Sequence, residues 1–370
     1  MKIGILGAGQ LARMLAEAGI PAGHEFVFLD PAESPSAARL GHHLRAPWQD
    51  ADALQVLANC DRITCDFENV PAEVLALLSE SVTVRPSARA FEVAQDRWIE
   101  KQQFEALGLA TPAYRAVESR PELIEAVEAL ALPAVLKTRR MGYDGKGQFV
   151  IHQFEDLELA WQQLGGKPLI LEQWVDFDHE AAITAVRSCD GDIRYYPLST
   201  TCHRGGILRL ARAGQGQSQL QQAAEHAMHK LMDELDYIGC MTLELFVVGD
   251  TLMANEFAPR AHNSAHWTIE AVPSSQFDNH LRAVCDWPLG NTALNGHALM
   301  VNFIGHMPEP ERWLRIPGLH WHDYNKSARP GRKVGHATLT APDAPTLNQR
   351  MADLQPLLDH DLRSMMQNLP

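Results

Sequence analysis

TLELFVVGDTLMANEF, residues 242–257, decides the fold. Strand-forming residues flank Gly249-Asp250, a dipeptide that favours a tight reversal, so the stretch reads as a β-hairpin. Its register sets its chemistry. A two-residue loop would place Glu244 opposite Asn255, whereas a three-residue loop over 249–251 would place Glu244 opposite Glu256. Carboxylates that face each other across paired strands repel unless a cation lies between them. Hard oxygen ligands with room for phosphate oxygens suit Mg²⁺. The competing interpretation is a solvated face carrying two diagonal acids. Asn263, a short way downstream, could add an amide oxygen as a third metal ligand.

Upstream, LKTRRMGYDGKGQ (136–148) gathers Lys137, Arg139, Arg140 and Lys146 around glycines. Asp144-Gly145 suits a two-residue hairpin loop between the strands PAVLKTRR and GQFVIHQ. The stretch reads as a hairpin lid that closes over phosphate. A helix over DRWIEKQQFEALG ends at Gly108, with Pro112 just beyond it. At the N-terminus, residues 2–30 read strand, glycine turn, helix, strand. GAGQLA (7–12) with Asp30 at the end of the second strand fits a dinucleotide fingerprint. An NAD-dependent oxidoreductase is therefore the rival function, and a tight turn without any dinucleotide is its plain alternative. His262 and His266 have a zinc-like spacing but lack the glutamate of HExxH, which makes a zinc hydrolase a weak third reading.

Of 370 residues, 46% are hydrophobic and 21% charged, which is ordinary for a globular chain long enough for two or three domains. A net charge of −14 argues against nucleic acid or an anionic membrane as partner. Cations clustered on such a chain, here and at Arg329, Arg332 and Lys333, suggest small anionic ligands. Six cysteines without a CxxC pair fit a reducing cytoplasm. The N-terminus does not read as a signal peptide, and no apolar run approaches the ~20 residues of a membrane span. Pro86 and Ser87 mark a break, and Ser87 can cap the helix that follows. The expected units are an N-terminal Rossmann-like domain (1–88), a central domain (89–288, lid subdomain about 112–175) and a C-terminal module (289–370). The last helix is expected near 347–358.

Taken together, DRWIEKQQF…GLATP, LKTRRMGYDGKGQ, ILEQWVDFDHE, TLELF and NEFAPRAHNSAHW resemble the ATP-grasp superfamily. GAGQLARM, CDFENV and RPGRKVGH narrow the resemblance to its N5-carboxyaminoimidazole ribonucleotide synthases, from residue 2 to about 340. The resemblance implies an α/β ATP-grasp fold with a Rossmann-like N-terminal domain and a small β-rich C-terminal module. It also implies an ATP- and Mg²⁺-dependent ligase, with Mn²⁺ able to substitute. Its reaction would carboxylate 5-aminoimidazole ribonucleotide (AIR) with bicarbonate through carboxyphosphate, in purine biosynthesis. The implied state is a cytoplasmic homodimer. Carried over by position, Arg97, Lys137, Glu172, Val175, Glu180, His203 and Asn255 match nucleotide contacts. Glu244, Glu256 and Asn263 match the metal site. Glu68, Tyr143, Lys146 and Arg260 match the reacting centre, and Gln10, Leu11, Arg332 and Lys333 the substrate site. Lys146 stands where some members carry Arg, and Met141 replaces a common lid glycine, which would stiffen the lid.

Overall fold

A computed structural model describes residues 1–142, 145–214 and 218–369. The N-terminal strands are apolar runs buried on both faces, the signature of a parallel sheet. Lys2–Leu6 lies in the middle, pairing in parallel with Glu25–Leu29 and Arg62–Cys65, and His42–Leu44 completes the sheet. Between the first two strands the chain turns at Gly7 into the helix Gln10–Gly19.

A four-stranded sheet, Tyr114–Val117, Leu169–Gln173, Ala134–Thr138 and Gln148–Ile151, is antiparallel throughout. The helices Arg120–Leu130 and Asp156–Leu164 pack on it through Leu123, Val127 and Leu157. The largest sheet has nine strands. It runs from the edge strand Thr251–Ala258 through Gly239–Val248, His179–Arg187, Ser199–Arg204 and Ile207–Ala213. It then continues into His297–Ile304, Lys333–Ala341 and Leu319–Asp323, and the ninth strand, Ile193–Tyr195, pairs with one end of His179–Arg187. Strands beyond residue 289 therefore extend the sheet that carries the glutamate hairpin, and Lys333 begins one of them.

Several local expectations are corrected. The glutamate hairpin takes the two-residue loop, with Val248 opposite Thr251, yet Glu244 still faces Glu256. The register shifts between Glu244 and Leu245, because Leu245 pairs with Ala254 and Asn255 is the extra residue of a β-bulge. The lid strands do pair, with Lys137 opposite Gln148, but their connection spans 139–147 instead of two residues. Thr138 N–H bonds the Gly147 carbonyl at 2.8 Å, while Arg139 and Arg140 are pulled aside to Asp96. Asp144 lies outside the described residues. Ser87 precedes the helix Ala88–Ala94, but its hydroxyl makes no capping bond. The late helix covers Ala344–Leu354, and a further helix not foreseen, His360–Gln367, buries Leu362 and Met366 behind an Asp359 cap.

Gly7 has φ +103°, and a Cβ there would stand 1.8 Å from the Asp66 carboxylate. Gly7→Ala is expected to cost about 2 kcal/mol or more in a urea titration, from strain and steric displacement together. An unchanged midpoint would contradict the close approach of Asp66.

Candidate active site

A cavity of about 440 Å³ opens where the four-stranded sheet, the nine-stranded sheet and the N-terminal domain meet. That is the size of a small-ligand site. Glu244 and Glu256 project into it together from their opposed register. Enclosure by protein opposes ionisation of Glu256, but the Arg97 guanidinium, 2.5 Å away, overcomes this and holds the carboxyl down at about 2. Glu244 has no such partner. Burial lifts its carboxyl to about 7, with His203 opposing and Glu256 adding to the rise. His262 stands 3.4 Å from Glu244, and burial, with Arg260 and Lys333 nearby, keeps its imidazole neutral by pushing it well below the usual range. The bulge turns Asn255 into the same cavity, where its buried Oδ1 has no hydrogen-bond partner among the described residues. An unequally ionised carboxylate pair with an orphaned amide oxygen is an oxygen donor set that fits a hard divalent cation. Asn263 is not part of it. It exchanges two side-chain hydrogen bonds with Asn302, at 2.7 and 3.0 Å, on the buried side of the turn Asn263–Ala265.

Deeper in the cavity, Lys137 reaches Glu172 at 2.9 Å. Burial works against the Glu172 charge, but Lys101 and Lys137 hold its carboxyl down at about 2. Glu180 bonds His203 Nδ1 at 2.8 Å. Val175 follows the strand Leu169–Gln173, between Trp174 and Phe177, which line the cavity. Phe177 stacks on Phe246 at 4.9 Å. Together with Val135 and Val150 these rings give an apolar slot for a planar base beside cations for its phosphates.

At the other end, Glu68 accepts from Arg260 at 2.7 Å, and burial raises its carboxyl against that arginine's pull. The glycine turn is already filled by the chain's own acids. Asp30 accepts from the Ala8 amide and Asp66 from the Ala12 amide, each at 2.9 Å. A dinucleotide pyrophosphate would need the ground these carboxylates occupy, which removes the physical basis for the oxidoreductase reading. Gln10 and Leu11 begin the helix, so their amides are among the donors every helix N-terminus leaves over. Lys326, a cation not singled out from the sequence, bonds the Gln10 side chain across the domain junction. Lys333 lines the cavity, whereas Arg332 turns to Ser327 Oγ at 2.8 Å.

Lys146 lines the cavity from the lid, and Tyr143 lies outside the described residues. Of the lid cations, Arg139 and Arg140 bond Asp96, the N-cap of the helix Arg97–Ala106, so they anchor the lid, and Arg139 also lines the cavity. Met141, where the resemblance expects glycine, has φ +63°. The lid loop reaches the turn at Gly205-Gly206, backbone against backbone. A Cβ on Gly145 would stand 2.2 Å from the Gly205 carbonyl oxygen. The two histidines of the zinc reading do not converge, since His262 Nδ1 bonds Ser264 and His266 Nδ1 bonds Gln276.

Comparisons with known proteins place the chain among relatives. An ATP-grasp domain model matches residues 102–277, a ribonucleotide synthetase preATP-grasp domain 1–95, and a phosphoribosylaminoimidazole carboxylase C-terminal domain 298–350. The chain is 48% identical to the N5-carboxyaminoimidazole ribonucleotide synthase of Pseudomonas aeruginosa, over 97% of this chain and 100% of that one. It is similar to the crystal structure of the Thermus thermophilus synthetase (TM-score 0.92, 44% identity, 97% and 99% covered). It is also similar to the Aspergillus clavatus synthase in complex with ADP and 5-aminoimidazole ribonucleotide (TM-score 0.89, 30% identity, 98% of each chain).

The raised Glu244 carboxyl gives a pH prediction. A metal ion held by this pair would need the Glu244 carboxylate, so protons would compete with it increasingly below about pH 7. Manganese binding, followed by electron paramagnetic resonance, is expected to weaken by about tenfold from pH 8 to pH 6 and to level off above pH 8. Equal affinity at pH 6 and pH 8 would place Glu244 outside the metal site.

Proposed function

The chain belongs to the N5-carboxyaminoimidazole ribonucleotide synthases, ATP-dependent ligases of purine biosynthesis, and we propose how its residues divide that reaction. The observation that carries the proposal is the opposed pair Glu244 and Glu256, with Arg97 on one member and the orphaned Asn255 Oδ1 beside them. These three oxygen-bearing side chains would hold Mg²⁺, or Mn²⁺ in its place. Such an ion would offset charge on the β- and γ-phosphates during transfer.

ATP lies with its base in the slot of Phe177, Phe246 and Val175, and the Glu172 backbone reads the base edge. Glu180 and His203 meet the ribose, and Lys137 and Arg97 the phosphates. Bicarbonate is a poor electrophile because its carbon shares charge among three oxygens. Taking the γ-phosphoryl group turns one oxygen into a leaving group, as carboxyphosphate. The exocyclic amine of AIR then attacks that carbon, or CO₂ released from it, and phosphate departs. Positioning and charge neutralisation are what such a step asks of the protein. Arg260, Lys146 and Tyr143 would hold the bicarbonate-derived group, with Glu68 orienting Arg260. Water would destroy the intermediate, so the lid must be seated before transfer.

The AIR phosphate is assigned to the Gln10 and Leu11 amides with Arg332, Lys333 and Lys326, which pair a helix N-terminus with cations. The domain boundaries near residues 88 and 288 and a cytoplasmic homodimer belong to the same proposal. All six cysteines are free thiols, which fits a reducing compartment.

Steady-state kinetics on Lys333→Ala test the assignment. Loss of one charged hydrogen bond, about 1.5–3 kcal/mol, should raise the KM for AIR roughly ten- to a hundredfold. The KM for ATP should move by less than about threefold, because the metal pair is untouched. An equal effect on both constants would move Lys333 to the nucleotide, and no effect on either would make it a surface lysine. Glu256→Gln should abolish ADP release with AIR and bicarbonate present and leave the fold intact.

A further inference from the structure

The bulge that sets Glu244 against Glu256 lies on an edge strand, so its outward backbone groups need partners from outside the sheet. At Ala254 the segment after a helix does this, the Ala110 carbonyl accepting from the Ala254 amide at 2.7 Å and Thr111 Oγ1 donating to its carbonyl at 2.9 Å, and the helix Arg97–Ala106 itself supplies the rest. Glu100 Oε1 accepts from the Phe257 amide at 2.7 Å, and Lys101 Nζ donates to the Asn255 carbonyl at 2.7 Å and towards Ala254 at 3.4 Å. One turn earlier, Arg97 holds the Glu256 carboxylate, and one turn later Phe104 packs on Phe257 with ring centres 6.2 Å apart. Residues 97, 100, 101 and 104 share one helix face, and all of them meet the four residues 254–257. Lys101 also stands 3.6 Å from Glu172, the partner of Lys137.

Glu100 is 1% exposed and Lys101 is fully buried. Beyond those backbone bonds, stability gives no reason for burying two charges here, because apolar side chains of similar volume usually serve a core as well or better. Position gives one. The bulge puts Glu256 and Asn255 on the cavity side, and a strand edge free to slip by one residue would turn Glu256 away.

We propose that Glu100 and Lys101 are positioning residues for phosphoryl transfer: they clamp the Asn255 bulge by its backbone, fixing Glu256 against Glu244, and Lys101 steadies the Glu172–Lys137 pair. This rests on Glu244 and Glu256 holding the metal. Neither Glu100 nor Lys101 touches the reacting atoms.

The test combines Mn²⁺ titration in the presence of ADP, read by electron paramagnetic resonance without turnover, with steady-state kinetics on the full chain. Lys101→Met and Glu100→Met are expected to weaken Mn²⁺ binding and lower kcat, each by about ten- to a hundredfold, the usual effect of losing an outer partner of a metal site. The KM for AIR should stay within about threefold, because that site is untouched. Glu100→Gln, which keeps an acceptor for the Phe257 amide, should restore parental values. If Lys101→Met does not fold, Lys101→Gln, whose shorter amide falls back from the Asn255 carbonyl and brings no charge to Glu172, is measured in its place with the same expectation. Folded variants with parental Mn²⁺ binding and kcat overturn the proposal, as does a lowered melting temperature with both constants unchanged. Glu256→Gln serves as the reference: if it binds Mn²⁺ as tightly as the parent, the metal assignment itself has failed, whatever the helix variants show.

Discussion

Two carboxylates facing each other across adjacent strands repel, and much of this molecule is arranged around that repulsion. Arg97 settles one charge outright, while Glu244 retains its proton to about pH 7. The asymmetry suits a site that must receive a cation together with a polyanion. One ionised carboxylate would be enough to begin binding a cation, and the second would yield its proton as that ion arrived. Were Glu244 also fully ionised without a metal, the hairpin would hold a second charge at close range with no arginine to balance it. Arg97, Glu100 and Lys101 lie on the same helix, so charge balance and backbone geometry at the pair come from a single element.

The N-terminal domain uses the same physics in reverse. A glycine turn entering a helix is an anion site by default, yet Asp30 and Asp66 take the Ala8 and Ala12 amides. Burial lifts the Asp66 carboxyl to about 6, against the amide bond from Ala12. The turn keeps the shape of a dinucleotide loop with much of its anion-binding capacity already spent internally, and what remains is the very start of the helix at Gln10 and Leu11.

What the sequence revealed, and what it hid, follows from how local each signal is. The parallel N-terminal strands were legible because strands buried on both faces are continuous apolar runs. Glu244 and Glu256 were legible as facing residues because strand periodicity leaves few registers. The bulge that pairs them was not, since inserting one residue into an edge strand changes no composition or pattern. Charge counting could not show that Arg139 and Arg140 bond Asp96, because that partner is distant in sequence and its role as a cap says nothing of arginines. Asn263 was misplaced by proximity, as a single turn of 3₁₀-helix carries its amide round to Asn302. Lys326 was overlooked beside a denser run of cations, and only the fold brings it to Gln10. Glu100 and Lys101 did carry a signal, a charged pair on the helix face that also holds Phe104, but a lone amphipathic segment does not show which face is buried.

The contact between the lid loop and the Gly205-Gly206 turn is made of bare main chain on both sides. Such a seam has no side chain through which mutation could adjust it by degrees. At Gly145 or Gly206 the smallest available change is a methyl group, and it meets backbone that cannot rotate away. The two halves of the seam are thus tied to each other in heredity, each limiting what the other can become. Tuning of lid behaviour is left to neighbours such as Met141, whose left-handed backbone already departs from what its side chain prefers. Natural variation in closing rate among relatives should accumulate in that flanking residue and its neighbours, while the seam between them stays glycine.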